Sequence, residues 1–312
     1  MCYSAKLWAE YQNLTKHYGG DISWDEFLHL AKQRESGLDP DIGFSIKISD
    51  EMIAGLIAEG GSTAKELALY QRRWKVSEQR QLEQAVQVAG AEYLEAEEKV
   101  KAKQTKTNQK AFDTKQRKLA KAKTALENAR KPPGDSYRIY PFFWAPIIIE
   151  ENGKRLIVPA RYRILPRTGV EIPNGYNVFN SRRDSLLTAR SWKPLFGRQH
   201  AIFPFANFFE WVERDGKSVE IKFNPDSHDS GMHAASLYEV YQHPELGQIR
   251  SFSMVTDEPP PEVAAAGHDR CPIFLAYDKI DRWLQPQGQT LQQLDELLDH
   301  KERAYYSHAI AA

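Results

Sequence analysis

The rhythm of hydrophobic and polar positions changes twice along this 312-residue chain. Through the first sixty residues, short apolar clusters separated by polar turns predict short helices. Ser23-Trp-Asp-Glu26, followed by Phe27, Leu28 and Leu30, is a helix start with a capping box. Between 62 and 131 there is no proline and a single glycine, Gly90. Leu82, Val86, Ala89, Tyr93, Ala96 and Val100 follow 4-3-4-3-4 spacing there, the a/d seam of a coiled coil. Polar Thr105-Lys-Thr-Asn108 interrupts the seam; Phe112, Leu119 and Leu126 then recur every seven residues, with Ala122 and Ala129 between them. The pattern predicts two long helices folded into an antiparallel hairpin and stopped by Pro132-Pro133-Gly134.

After Gly134 the period shortens to that of strands. Phe142-Phe-Trp-Ala-Pro-Ile-Ile-Ile149 and Leu156-Ile-Val158 flank Glu150-Glu-Asn-Gly-Lys154, which reads as a β-hairpin turning on Asn-Gly. Further strands are expected at 201–203, 208–211, 220–223, 232–238, 252–256 and 272–276. Leu291, Leu294, Leu297 and Leu298 mark a short amphipathic helix. The expected class is α+β: a β-rich core with peripheral helices and an inserted long antiparallel helical hairpin. Residues 1–61 and 132–312 would form one domain, and 62–131 the insertion.

Composition narrows the function. With 41% hydrophobic residues the chain can bury a sizeable core. The only cysteines are Cys2 and Cys271, too few for a disulfide framework or a cysteine zinc site and suited to a reducing cytosol. No stretch reaches the roughly 18 apolar residues of a membrane span, so a cytoplasmic location is expected, nucleoid-associated when DNA is bound. Glycines at 55, 60 and 61 resemble a phosphate loop without its lysine, and are set aside. Formal net charge is zero, but residues 99–131 hold twelve Lys/Arg against Asp113 and Glu127. That excess reads either as a solvated coiled-coil face or as a basic arm for DNA or a protein partner.

Candidate chemistry begins at Cys2. Removal of Met1 would leave an α-amine and a thiol on adjacent carbons, both ionising within about two units of neutrality. Such a 1,2-aminothiol condenses with an aldehyde to a Schiff base, and the thiol then closes a thiazolidine. Three further segments carry reactive types: Asn180-Ser-Arg182-Arg-Asp184-Ser185; Ser191-Trp192-Lys193-Pro-Leu-Phe196 leading to Phe208-Phe209-Glu210-Trp211; and Gly267-His268-Asp-Arg270-Cys-Pro272. Taken singly, Glu210 reads as an exposed strand position, His268 as a turn residue, and Arg182 and Arg270 as surface ion-pair partners of Asp184 and Asp269.

Taken together and in this order, the four segments resemble the SOS-response-associated peptidase (SRAP) family, over roughly residues 1–60 and 132–285. The resemblance implies a protein that binds single-stranded DNA and crosslinks Cys2 to the aldehyde of abasic sites, with no metal or organic cofactor. Family members commonly carry Gly-Arg after the cysteine, where this chain has Tyr3-Ser4. On this reading the catalytic residues are Cys2, Asn180, Glu210 and His268. Glu210, among aromatics, is partly desolvated, which favours the protonated acid and suits proton transfer. His268 protonates the sugar or holds it. Asn180 donates to a developing oxyanion or fixes the amine. Arg182 and Arg270 contact phosphate, with Lys193 beside them. Trp144, Phe209 and Trp211 are candidates for stacking on bases, although most of them read as core; Trp192 is the better candidate, and Cys271 reads as structural. Two alternatives remain: an N-terminal-nucleophile peptidase acting through Cys2, for which only Met1 would be available to cleave, and a non-catalytic nucleic-acid adaptor working through the hairpin.

Overall fold

A computed structural model describes residues 4–7, 11–36, 47–130, 138–170, 172–173, 175–226, 232–244, 247–302 and 305–311. Cys2, Tyr3 and Pro132-Pro133-Gly134 lie outside them. In chain order the elements begin with β1 (Ser4–Leu7), α1 (Tyr11–Tyr18), β2 (Asp21–Ile22), α2 (Trp24–Ser36), β3 (Lys47–Ile48) and α3 (Asp50–Ala58). The long helices α4 (Gly61–Ala102) and α5 (Lys106–Arg130) follow, then β4 (Arg138–Ile139), β5 (Phe143–Glu151), β6 (Lys154–Tyr162) and β7 (Asn180–Arg182). Next come β8 (His200–Arg214), β9 (Lys217–Pro225), β10 (Met232–His243), β11 (Gly247–Asp257), α6 (Pro261–Ala265) and β12 (Cys271–Pro272). Helices α7 (Ile280–Leu284) and α8 (Leu291–Leu297) and strand β13 (Tyr306–Ile310) complete the chain. Two compact units result: Met1–Leu67 with Ser136–Ala312, and Ala68–Asp135. Among the described residues no helix is long and apolar enough to cross a membrane.

The larger unit is mixed α+β around a closed ring of five strands. β8 pairs with β10, β10 with β11, β11 with β6, β6 with β5, and β5 returns to β8. Six consecutive buried residues in β5, from Trp144 to Ile149, show why its apolar run does not alternate: both faces of the strand are covered. Asn152 and Gly153, at φ 52° and 70°, make the primed turn whose twist matches the strands they join. Asp215 and Gly216, at φ 52° and 71°, repeat the device between β8 and β9. Inside the ring Phe203, Phe252 and Tyr162 are fully buried, with Phe203 and Tyr162 at 4.9 and 5.1 Å from the Phe252 ring. Each such ring contributes about 1.5–3 kcal/mol over its exposed state.

Within one continuous sheet, strand β8 changes neighbours along its length. Its first half pairs with β10 and β5, while its second half pairs with β9 and, at Ser4 opposite Phe209, with β1. The segment expected as a strand over 272–276 is shorter. Only β12 pairs with β11; the Ile273 amide bonds to Val255 and the Leu275 amide to His233. The chain changes partner at each step as it crosses from β11 to β10, so no ladder forms.

The smaller unit is the helix pair. Seam residues Leu82, Val86, Ala89, Tyr93, Ala96 and Val100 are all half-buried or buried, and Tyr93 meets Phe112 with ring centroids 5.2 Å apart. Glu92 bonds to Lys115 and Lys118, and Glu83 to Arg130, at 2.7–2.9 Å, a pairing only antiparallel helices give. The turn between them is made by side chains. Thr105 Oγ accepts from the Asn108 amide at 3.1 Å as the α5 N-cap. Asn108 Nδ2 donates back to the carbonyls of Lys99 and Lys103 at the end of α4, satisfying acceptors that a helix end leaves open.

Candidate active site

Glu210 lies on the second half of β8, opposite Ile221 of β9 and one residue from Phe209, the partner of Ser4. Although flanked by an exposed Trp211 (47%), its side chain is 1% exposed. Burial of a carboxylate requires a partner, and His268 supplies it: Nε2 stands 3.1 Å from Glu210 Oε2, with the imidazole 8% exposed. His268 reaches that position from the turn after α6. There the amide of His268 bonds to Val263, and Gly267 adopts φ 100°, a conformation that favours glycine.

The other ring nitrogen sets the proton count. His268 Nδ1 faces the Arg270 carbonyl at 2.8 Å, and a carbonyl only accepts, so Nδ1 carries a hydrogen. The Arg270 amide, 3.3 Å from the same nitrogen, is the weaker competitor. One hydrogen must then lie between Nε2 and Oε2, giving either imidazolium with carboxylate or imidazole with carboxylic acid. Both states are neutral overall. The pair therefore holds one transferable proton without burying net charge.

The same loop joins a second group. Arg270 donates to Asp184 Oδ2 at 3.2 Å, and Arg182 donates to both oxygens of that carboxylate. These hydrogen bonds hold Asp184 below the usual carboxylate range and raise Arg182. Arg182 and Asp184 are about half exposed. The segments meet because Arg182 of β7 and Pro272 of β12 are both register partners of Thr256 on β11. Asn180, at the start of β7, is 3% exposed. Its Oδ1 accepts from Tyr162 at 3.3 Å, which leaves the amide nitrogen as its donating end. Arg183 instead fastens α8 through Asp295, and the turn after it through Asp299.

Two sequence expectations change. Trp192 is 5% exposed, buried with Leu195 and Phe196 in tight turns, so its indole cannot stack on a base; Lys193 beside it is exposed. Trp211, one of the aromatics read mostly as core, is exposed, because β8 turns that side outward while burying Glu210. Cys271 is buried, and burial followed by the neighbouring Glu210 pushes its thiol far up, consistent with an inert side chain. Cys2 lies outside the described residues.

Arg138 escaped the sequence reading. Its Nε donates to Ser4 Oγ at 2.8 Å, it pairs with Glu220, and its guanidinium lies 3.6 Å from the Phe209 ring centroid. Buried Arg161 and Arg163, at 4.9 and 5.0 Å from the Phe142 ring, were also missed. The available signal was two arginines, Arg161 and Arg163, directly after the apolar run 156–160.

Residues 100–311 match the family model described as SOS response associated peptidase (SRAP). The chain belongs to the SRAP family. The matched SRAP span takes in α5 and does not reach residues 1–60, where part of the resemblance was placed. Among curated relatives, the Abasic site processing proteins YoqW and YobE of Bacillus subtilis (strain 168) are each 26% identical over 164 residues. That is 52% of this SRAP chain, and 72% and 74% of theirs. A solved protein from Bacteroides thetaiotaomicron superposes with TM-score 0.47 at 15% identity, covering 56% of this chain and 78% of its own.

Proposed function

We propose that this SRAP protein processes abasic sites in single-stranded DNA by forming a thiazolidine between Cys2, once Met1 is removed, and the lesion's aldehyde. The observation that carries the reading is the buried Glu210–His268 pair, one residue along β8 from the register partner of Ser4. Two residues of chain, about 7 Å when extended, join Cys2 to Ser4. The abasic sugar is mostly a closed hemiacetal, and the pair relays a proton from its hydroxyl to the ring oxygen as it opens. The Cys2 amine adds to the aldehyde carbon. The pair then protonates the departing hydroxyl, which leaves as water and gives an iminium. Thiol addition to the C=N carbon closes the ring and returns a proton to the pair, so the sum is one water released and no net proton consumed. The Asn180 amide donates to oxygen as charge develops on it. Arg182 and Arg270 bind phosphate where Asp184 now bridges them, and Trp211 is the exposed ring beside Glu210.

Intact-mass measurement after mixing with an abasic oligonucleotide tests this. A heat-stable adduct, equal to the oligonucleotide less one water, is expected. It should vanish in Cys2→Ala, and Cys2→Ser should give only a reversible Schiff base that borohydride traps. An undiminished adduct in Cys2→Ala, or peptide cleavage without any adduct, overturns the reading.

A further inference from the structure

Helix α5 sorts its cations between two faces. Lys115, Lys118 and Arg130 face α4 and pair with Glu92 and Glu83. Lys106, Lys110, Arg117 and Lys121 are exposed and make no ion pair among the described residues. At 3.6 residues per turn these four fall within about 60° of one another, roughly opposite the Phe112, Leu119 and Leu126 seam, and span about 22 Å along the axis. Asp113 borders the stripe, its carboxylate accepting from Gln109 and its carbonyl from Arg117. Thr114 and Thr124 fill the gaps, and no large apolar side chain stands in it.

We propose that this stripe is a docking track for the phosphate backbone of single-stranded DNA. Like charges at i, i+4, as in Lys106/Lys110 and Arg117/Lys121, destabilise a helix that has nothing opposite them; a row of phosphates reverses the sign of that term. Five of the twelve cations over residues 99–131 are already paired with acids of α4, and the four of the stripe supply the charge complementary to phosphate. A protein partner would be anchored by aromatic or aliphatic side chains, and this face offers none.

The test uses the full chain carrying Cys2→Ala and an oligothymidylate without abasic sites, so its outcome does not depend on the crosslinking reading. Affinity is measured across a salt series. Each single-strand phosphate contact adds about 0.7 to the slope of log affinity against log salt. Combining Lys106→Gln, Lys110→Gln, Arg117→Gln and Lys121→Gln should therefore reduce the slope by about 2.8, with helicity retained because Gln is a comparable helix former. Lys106→Arg, Lys110→Arg and Lys121→Arg together should keep it. An unchanged slope in the glutamine variant, or an equal loss in the arginine variant, overturns the proposal and leaves a solvated or protein-docking face.

Discussion

Glu210→Gln separates proton transfer from architecture more cleanly than any other substitution at this site. With Nδ1–H held by the Arg270 carbonyl, a neutral His268 presents Nε2 as an acceptor, and the Gln amide can donate to it across the 3.1 Å now spanned by the pair. The shape of the pocket, its hydrogen bonding and its zero net charge all survive. What is lost is the transferable proton, since neither an amide nor the imidazole it caps releases one readily. Loss of a positioned general acid/base slows reaction by about 10²–10⁴, equivalent to about 3–5 kcal/mol of barrier. Stability should change by no more than about 1 kcal/mol, the size of one exchanged hydrogen bond. The assay is single-turnover crosslinking to an abasic oligonucleotide, read by denaturing gel, with affinity for an undamaged strand and the thermal midpoint measured alongside. Slow crosslinking with unaltered affinity and midpoint is the expected pattern. Wild-type rates would remove Glu210 from the chemistry, and a large drop in midpoint would make it a structural residue.

Arg138→Ala should slow crosslinking by about 10–100-fold, because sub-ångström misplacement of a nucleophile is costly. DNA affinity should persist, and Arg138→Lys should restore only part of the rate; equal rates in all three proteins would show that Ser4 needs no anchor. His200 gives a pH dependence. Nδ1 donates to the Trp283 carbonyl, Nε2 accepts from the Gly197 amide, and burial lowers its pKa to about 3. The unfolded chain binds a proton below about 6.5 that the fold refuses, so His200's contribution is complete above that pH and erodes as pH falls toward about 3. Between pH 6.5 and pH 5 the loss is about 2 kcal/mol. Urea midpoints should fall accordingly, with a shallower fall in His200→Gln; parallel pH profiles would refute the assignment.

Legibility in the sequence followed how local the determining interactions are. The Asn152-Gly153 turn, the 4-3-4 seam and the Thr105/Asn108 cap act within a few residues or along one helix, and each is visible as a pattern. Asp215-Gly216 was equally visible and was passed over. Closure of the ring was not legible, because β5 meets β8 through two register pairs about fifty residues apart in the chain, and no periodicity encodes that. Spacing also could not place Glu210 against His268 or bring Arg270 to Asp184, since those contacts depend on β11 holding β7 and β12 on either side of Thr256. Trp192 is buried and Trp211 exposed for a related reason: alternation tells which side chains share a face, and only tertiary packing tells which face is covered.

The pairing of Ser4 with Phe209 also has a temporal meaning. Strand β1 is synthesised some two hundred residues before β8, the longer of its two partners among the described residues. At about 5–20 residues per second, roughly 10–40 seconds pass before β8 exists for β1 to join. In that interval the only one of these partners that β1 can pair with is β4, made about 130 residues after it.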